Sequence, residues 1–431
     1  MPGLMGIDIE TYSSAPLPRC GVYRYCDAPD FEILLFSYAF DDEPVQTIDL
    51  ARGETLPKEV ISALEDPDII KVAYNAQFER VCLSRYLGHW LDPHQWRCTM
   101  VMAAYLTLPG RLADAAVALG TTEKKMEEGK DLIRYFSVPC KPSKTNGGRT
   151  RNLPTDAPEK WAVYRQYNAQ DVETERAIRK ALEKYSLPEQ EWELYALDQQ
   201  INDRGVRVDK KLVKNAIAVD AVFAQAAYQR AKELTGLENP GSVNQLKAWL
   251  ADQDMQPLVD AWRAANPNIV AFWSALDRAA RTVIRKKTSA RVGKVTLYWQ
   301  DDKMFMRLPS GRNLCYQSPH FTENRFGSDA IGYYAPNAAG QMVVQETFGG
   351  KLAENATQAI ARDILAHALL TLEKNGYPVI FHVHDEAVIE MPNGQGSLEE
   401  ACRLMAIAPD WAENLPLRAD GEDHLAFYRK T

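Results

Sequence analysis

Apolar and polar positions change period along the chain. Leu4–Ile9 is a short apolar run that reads as a strand. Glu32–Phe40 and Val45–Leu50 read as two more, joined by the acidic turn Asp41-Asp42-Glu43-Pro44. Ile69–Tyr74 is another apolar run, while Glu79–Tyr86, Thr99–Leu106 and Leu112–Leu119 carry helical periodicity. Lys141–Pro154, rich in Gly, Pro and Asn, reads as a loop, and Glu159–Tyr185 as a long amphipathic helix. A three-strand meander followed by alternating helices and strands predicts an α/β layer fold for the first 185 or so residues.

Leu187-Pro188 punctuates the chain. Beyond it the pattern predicts helices over Glu189–Arg204, closed by Gly205, over Lys210–Leu234, and over Ser242–Ala251, capped by Ser242. Pro257–Arg285 is helical around a break at Asn266-Pro267. Thr296–Leu308 and Leu314–Tyr316 look like strands. Leu352–Asn375 is a periodic helix closed by Gly376, and Pro378–Met391 a hairpin-like segment interrupted by His384-Asp385-Glu386. There is no internal repeat.

A chain of 431 residues is long enough for two or three domains. It has no run of about 18 apolar residues, so no membrane-spanning helix is predicted. The N-terminus enters an acidic strand at once, without the basic and apolar regions of a secretory leader, and none is expected. The seven cysteines are scattered with no CxxC pair, which predicts reduced thiols in a cytoplasmic setting and no zinc site. The net charge of −8 weakly disfavours a nucleic-acid partner, but its distribution matters more. Seven basic residues and no acidic one lie between Arg278 and Lys294, among them Arg285, Lys286 and Lys287. Four more, again without an acid, lie between Lys141 and Arg151. Each stretch is either solvated surface or a phosphate contact.

Three carboxylate groupings are candidates for chemistry. Asp8 and Glu10 sit two apart on a strand and so project from one face, which costs repulsion unless a cation lies between them. Asn75-Ala76-Gln77-Phe78-Glu79 places another carboxylate at a helix start, where acids are favoured in any case. Tyr167 and Asp171 stand at i and i+4 on the long helix, side by side.

In order and spacing these groupings resemble the three motifs of the DEDD superfamily of 3′–5′ exonucleases, in its Tyr form. Asp8 and Glu10 match the first motif, Asn75 and Glu79 the second, and Tyr167 and Asp171 the third. The second motif usually ends in Asp, and here it ends in Glu79. The resemblance implies a ribonuclease-H-like exonuclease domain over residues 1–186. It implies two Mg²⁺ (or Mn²⁺) ions held by the matches Asp8, Glu10 and Asp171, a catalytic role for Glu79, whose longer arm can still reach a metal, Tyr167 orienting the attacking water, and Asn75 near the nucleic acid. Oxygen-rich sites suit Mg²⁺, and two such ions neutralise a phosphodiester and supply a hydroxide.

The second half resembles family A (DNA polymerase I-like) enzymes of phage type. Trp192–Asp209 resembles the entry to the polymerase region. Thr347–Leu365 and Val379–Glu390 resemble the last palm helix and catalytic hairpin, with His384-Asp385-Glu386 as the final motif. The resemblance gives Asp385 a metal-binding, catalytic role. Asn355, Gln358 and Arg362, at i, i+3 and i+7 on one helix face, suit a primer or template groove, beside His384. The first palm carboxylate motif and the fingers Lys/Tyr helix are not found. The implied organisation is an exonuclease domain (1–186), a helical thumb-like segment (187–252) and a truncated α+β palm remnant (253–431), with a junction near Asp252–Met255 where on the order of two hundred residues of the family pattern are missing.

The expected activity is therefore a metal-dependent 3′–5′ exonuclease on DNA 3′ ends, single-stranded or frayed, in the cytoplasm of a bacterial or phage-infected cell, with replisome proteins as further partners and no membrane. Two other readings stay open. One is a proofreading DNA-directed DNA polymerase acting in DNA replication on primer–template, if the missing segment is supplied. The other is a non-catalytic DNA-binding replisome module.

Overall fold

The computed structural model describes residues 3–122, 126, 128–251, 256–323, 327 and 329–423; the expected junction at Asp252–Met255 lies outside them. Contacts divide the chain into two units: Met1–Gln200 with Thr282–Thr347, and Ile201–Arg281 with Phe348–Thr431. The units are interleaved in sequence. Residues 282–347, inside the segment expected to be a palm remnant, make their contacts with the N-terminal unit.

The first unit starts with β1 (Leu4–Tyr12), α1 (Leu17–Cys26), β2 (Glu32–Phe40), β3 (Gln46–Ile48), α2 (Lys58–Glu65), β4 (Ile70–Ala73), α3 (Ala76–Leu87) and β5 (Trp96–Cys98). α4 (Thr99–Tyr105), α5 (Leu112–Leu119), α6 (Gly129–Phe136), α7 (Pro158–Leu182) and α8 (Glu189–Arg204) follow. The five strands form one sheet in the order β3-β2-β1-β4-β5. β1–β2 and β2–β3 pair antiparallel, whereas β1–β4 and β4–β5 pair parallel. The α/β layer expected from the period changes is present, and the predicted strand Glu32–Phe40 has the predicted bounds.

Alternation along β1 separates its two faces. Met5, Ile7 and Ile9 enter a core with Phe36, Val60, Leu64, Val81 and Leu83. Gly6, Asp8 and Glu10 lie on the other face; a Cβ at Gly6 would come within 3.6 Å of Val172 in α7. α7 also closes a core of aromatic residues, in which Trp161, Tyr164 and Tyr167 pack with Tyr12, Leu34, Leu132 and Phe136.

α9 (Lys210–Thr235), α10 (Val243–Ala251), α11 (Gln256–Ala265) and α12 (Pro267–Lys286) come next in the chain. The N-terminal unit then resumes with a second sheet, of order β11-β10-β9-β8-β7-β6. It is built from β6 (Ser289–Val292), β7 (Val295–Gln300), β8 (Lys303–Arg307), β9 (Asn313–Glu323), β10 (Asp329–Pro336) and β11 (Met342–Thr347), all antiparallel. The single strand expected over Thr296–Leu308 is two strands. Asp301 and Asp302 both take positive φ, 47° and 60°, and form a two-residue turn that pairs Gln300 with Lys303. Asp tolerates the left-handed region because its short side chain bonds locally, so a turn without glycine escapes the usual sequence signal. Phe305 and Cys315 of this sheet pack with Ile178, Leu182 and Tyr185, and Gln317 Nε2 donates to Leu106 O at 2.5 Å. The sheet is thereby joined to α4 and α7.

The second unit ends with α13 (Gly349–Lys374), β12 (Val379–Val383), β13 (Glu386–Ile389) and α14 (Leu398–Met405). β12 and β13 form the expected hairpin, with Val383 paired to Glu386 across His384-Asp385. Ile360 and Leu365 on α13 are half-buried, and α9 buries none of its residues. Among the described residues, no helix is long and apolar enough to cross a membrane.

Candidate active site

β1 and α7 bring together the first and third carboxylate groupings. One carboxylate oxygen from each of Asp8, Glu10 and Asp171 lies within 4.8 Å of the others. Glu10 and Asp171 are buried and Asp8 is half-buried. Three carboxylates at this separation repel strongly, and an oxygen-only donor set of this kind fits a hard divalent cation such as Mg²⁺ or Mn²⁺.

Buried donors hold two of the three acids. Tyr164 Oη donates to Glu10 Oε2 at 2.5 Å and meets Ser137 Oγ at 2.8 Å. Asn168 Nδ2 donates to Asp8 Oδ2 at 2.5 Å, and Ser37 Oγ donates to Asn168 Oδ1 at 2.6 Å. Ser37 stands directly across from Asp8 in the β1–β2 register. Neither Tyr164, Asn168 nor Ser37 is among the residues that the motifs single out. The signal available was their spacing on α7: Tyr164, Asn168 and Asp171 recur at i, i+4 and i+7, the buried face of one helix.

Tyr167 is buried at the third motif and hydrogen-bonded to Asp171. Its ring stacks on Tyr164 with centroids 5.9 Å apart and 18° between planes, and Tyr164 stacks in turn on Phe136 at 5.5 Å. Each such pair contributes about 0.5–1.5 kcal/mol beyond its burial. Burial, and after it the carboxylates of Asp171, Glu10 and Asp8, push the Tyr167 phenol far above its usual range. It therefore stays a neutral hydroxyl, able to donate or accept a hydrogen bond without adding charge. Burial and Glu10 raise Tyr164 in the same way.

The other expected residues lie apart from this cluster. Glu79 is buried in the first turn of α3 but is not one of the three clustered carboxylates. It acts electrostatically on Tyr195, Cys98 and Cys82. Asn75 is exposed at the start of α3. Asp385 is exposed in the β12–β13 turn, next to His384 at a φ of 52°. Among the described residues Asp385 belongs to no group of three ligand side chains. On α13, Asn355 is half-buried, Gln358 and Arg362 are exposed, and Arg362 reaches Asp363 at 3.3 Å.

The two basic stretches differ. In the first, Arg149 pairs with Asp156, and Arg151 pairs with Glu32 and lies over the Tyr12 ring at 3.9 Å, so both arginines are already engaged within the unit. In the second, Arg285, Lys286 and Lys287 are exposed where α12 ends. Arg285 lies over Phe321 at 5.3 Å and Lys287 over Trp299 at 3.1 Å, which orders both cations on aromatic faces while leaving them open to solvent.

No family model matches the chain. Among solved structures, a nuclease in its apo form is similar at 16% identity with a TM-score of 0.27, covering 46% of this chain and 82% of that one. NrnC of Brucella melitensis bound to pGG is similar at 15% and 0.28, over 48% and 88%. The polymerase domain of Pol1 from M. smegmatis, in complex with DNA primer-template and dNTP, is similar at 19% and 0.31, over 57% and 36%. TM-scores this low carry no argument. The curated comparison is of another order: a DNA polymerase of Bacillus phage SP02 is 32% identical over 636 aligned positions, covering 97% of this chain and 98% of the relative. With that identity over nearly the whole of both proteins, the chain belongs to the same family as this phage DNA polymerase.

Proposed function

We propose that the chain is a metal-dependent 3′–5′ exonuclease acting on DNA 3′ ends. The observation that carries this reading is the convergence of Asp8, Glu10 and Asp171 within 4.8 Å. The sheet order, three antiparallel strands followed by two parallel ones, supports the ribonuclease-H-like description of residues 1–186.

The residues fit a divalent metal site. Asp8, Glu10 and Asp171 would hold the ions, and bound Mg²⁺ or Mn²⁺ supplies charge neutralisation at the scissile phosphate and an acidified water. The chain's own residues do the rest. Asn168 and Tyr164 fix the Asp8 and Glu10 carboxylates. The neutral phenol of Tyr167 orients the attacking water by a hydrogen bond. Exposed Asn75 borders the entering strand. Glu79 lies outside the cluster and has no part in this reading of the site.

Polymerisation by this chain is not part of the proposal. An alignment of 636 positions cannot be filled by 431 residues, so the polymerase relative carries a long stretch with no counterpart here. The proposal puts that gap between the thumb-like segment (187–252) and the palm-like region (253–431), which are divisions by ancestry. Asp385, outside any group of three ligand side chains among the described residues, has little hold on a hydrated Mg²⁺. The reading places the enzyme in the cytoplasm of a bacterial or phage-infected cell, with DNA, and then replisome proteins, as partners.

The test is digestion of a 3′-ended, 5′-labelled single strand by the purified chain with Mg²⁺. Shortening from the 3′ end is expected, and Asp8→Ala should slow it by about 10³-fold or more, because electrostatic stabilisation by positioned charge is usually the largest catalytic term. Digestion by Asp8→Ala at the parent rate would rule out the site.

A further inference from the structure

Asp8, Ser37 and Thr47 form a row across three neighbouring strands, since Asp8 pairs with Ser37 and Ser37 with Thr47 in the sheet register. Ser37 Oγ lies 2.7 Å from Thr47 Oγ1 and 2.6 Å from Asn168 Oδ1. Ser37 has one hydroxyl proton. Because an amide oxygen only accepts, that proton goes to Asn168, and Thr47 must donate to Ser37. The amide orientation itself is set at the other end: an ionised carboxylate only accepts, so Nδ2 faces Asp8 and Oδ1 is left to Ser37. Asn168 and Ser37 are both 0% exposed, so no water competes for these bonds.

We infer that Asn168 is a positioning residue for the metal-binding carboxylate Asp8, with Ser37, backed by Thr47, anchoring the amide oxygen from behind. The inference rests on the reading of Asp8, Glu10 and Asp171 as a metal site. A buried Asn on a helix that only filled its hydrogen bonds could end on any acceptor. This one ends on a carboxylate of the cluster, which accepts only its Nδ2 side, and the row behind it holds the amide oxygen in place. Outer-shell partners of metal-binding carboxylates act in this way, and losing one typically costs 10–100-fold in metal affinity or activity.

The test is Mn²⁺ titration of the full chain, read by the loss of free-ion paramagnetic resonance signal, for the parent and for Asp8→Ala, Asn168→Ala and Ser37→Ala, with melting temperatures alongside. Asn168→Ala should weaken Mn²⁺ binding by about 10-fold or more, and Ser37→Ala, which keeps the amide but removes the bond anchoring its oxygen, by a few-fold. Nuclease activity should recover toward the parent value as Mn²⁺ is raised, a response that a fold defect would not give. Asn168→Ala that melts like the parent and binds Mn²⁺ as tightly overturns the inference while leaving the metal site standing. If Asn168→Ala does not fold, Ser37→Ala decides alone, and unchanged affinity there overturns the inference. A parent that binds no Mn²⁺, or binds it equally well after Asp8→Ala, overturns the metal site and this inference together.

Discussion

Gly129, the first residue of α6, lies so close to the ring of Tyr167 that a Cβ there would overlap its Cε2 and Cζ atoms. The backbone of α6 thus forms one wall of the slot that holds the third-motif tyrosine, while the Tyr164 ring forms another. Since Tyr167 is bonded to Asp171, a shift of the ring is transmitted to the carboxylate cluster.

Gly129→Ala should therefore impair the nuclease more than its small size suggests. Overpacking of this kind costs about 1–3 kcal/mol, and the ring must move or α6 must retreat. A lower melting temperature together with a fall in digestion rate of about tenfold or more is expected, misplacement by an ångström being enough for such losses. Parent-like melting and parent-like digestion would show that the slot has slack.

The exposed cations at the end of α12 should carry part of the DNA affinity. Replacing Arg285, Lys286 and Lys287 with Ala should weaken binding and reduce the slope of log K against log salt by roughly one unit per lost phosphate contact. Replacing Arg149 and Arg151, which are already paired with Asp156 and Glu32, should change that slope less. Equal slopes for the parent and the triple variant would return this patch to solvated surface.

Primer extension is the sharpest test of what the second unit can do. Asp385 stands exposed in a hairpin turn, and no partner carboxylate strand or fingers helix is recognisable in the sequence. The chain should degrade a primer with Mg²⁺ and all four nucleotides present, and should not lengthen it. Template-directed products longer than the primer, from protein free of other polymerases, would show that the missing motifs have substitutes.

Arg204 is a fastening point of the second unit. Its guanidinium bonds both carboxylate oxygens of Glu373 and donates to Val379 O at 2.8 Å, while Glu373 Oε1 accepts from Val379 N at 2.7 Å. The ends of α8 and α13 and the start of β12 meet there. Arg204→Ala should destabilise this unit by about 1.5–3 kcal/mol, the range for hydrogen bonds to charged groups. Even in the parent, α9 should exchange its amides well before α7, since it buries no residue and few contacts oppose its opening. Hydrogen exchange followed by mass spectrometry reads both effects; protection of α9 equal to that of α7 would contradict the second.

Several features were legible before any coordinates because they depend only on local chemistry. Gly205 ends α8, and its φ of 64° confirms why that position needs glycine. The i, i+2 spacing put Asp8 and Glu10 on one face of β1, and the i, i+4 spacing put Tyr167 beside Asp171. The order of the motifs pointed to the family. The partnership of Asn168 with Asp8, 160 residues apart, could not be read this way: an Asn inside a helix has no local mark of what it will touch. Nor could the attachment of β6–β11 to α4 and α7, which depends on how Phe305 and Cys315 meet Ile178 and Leu182. Local sequence selects which backbone shapes and which chemistries are available. Which distant side chains share a buried site is decided by the packing of sheet and helix, because only there are the water competitors removed and each polar group forced onto one partner.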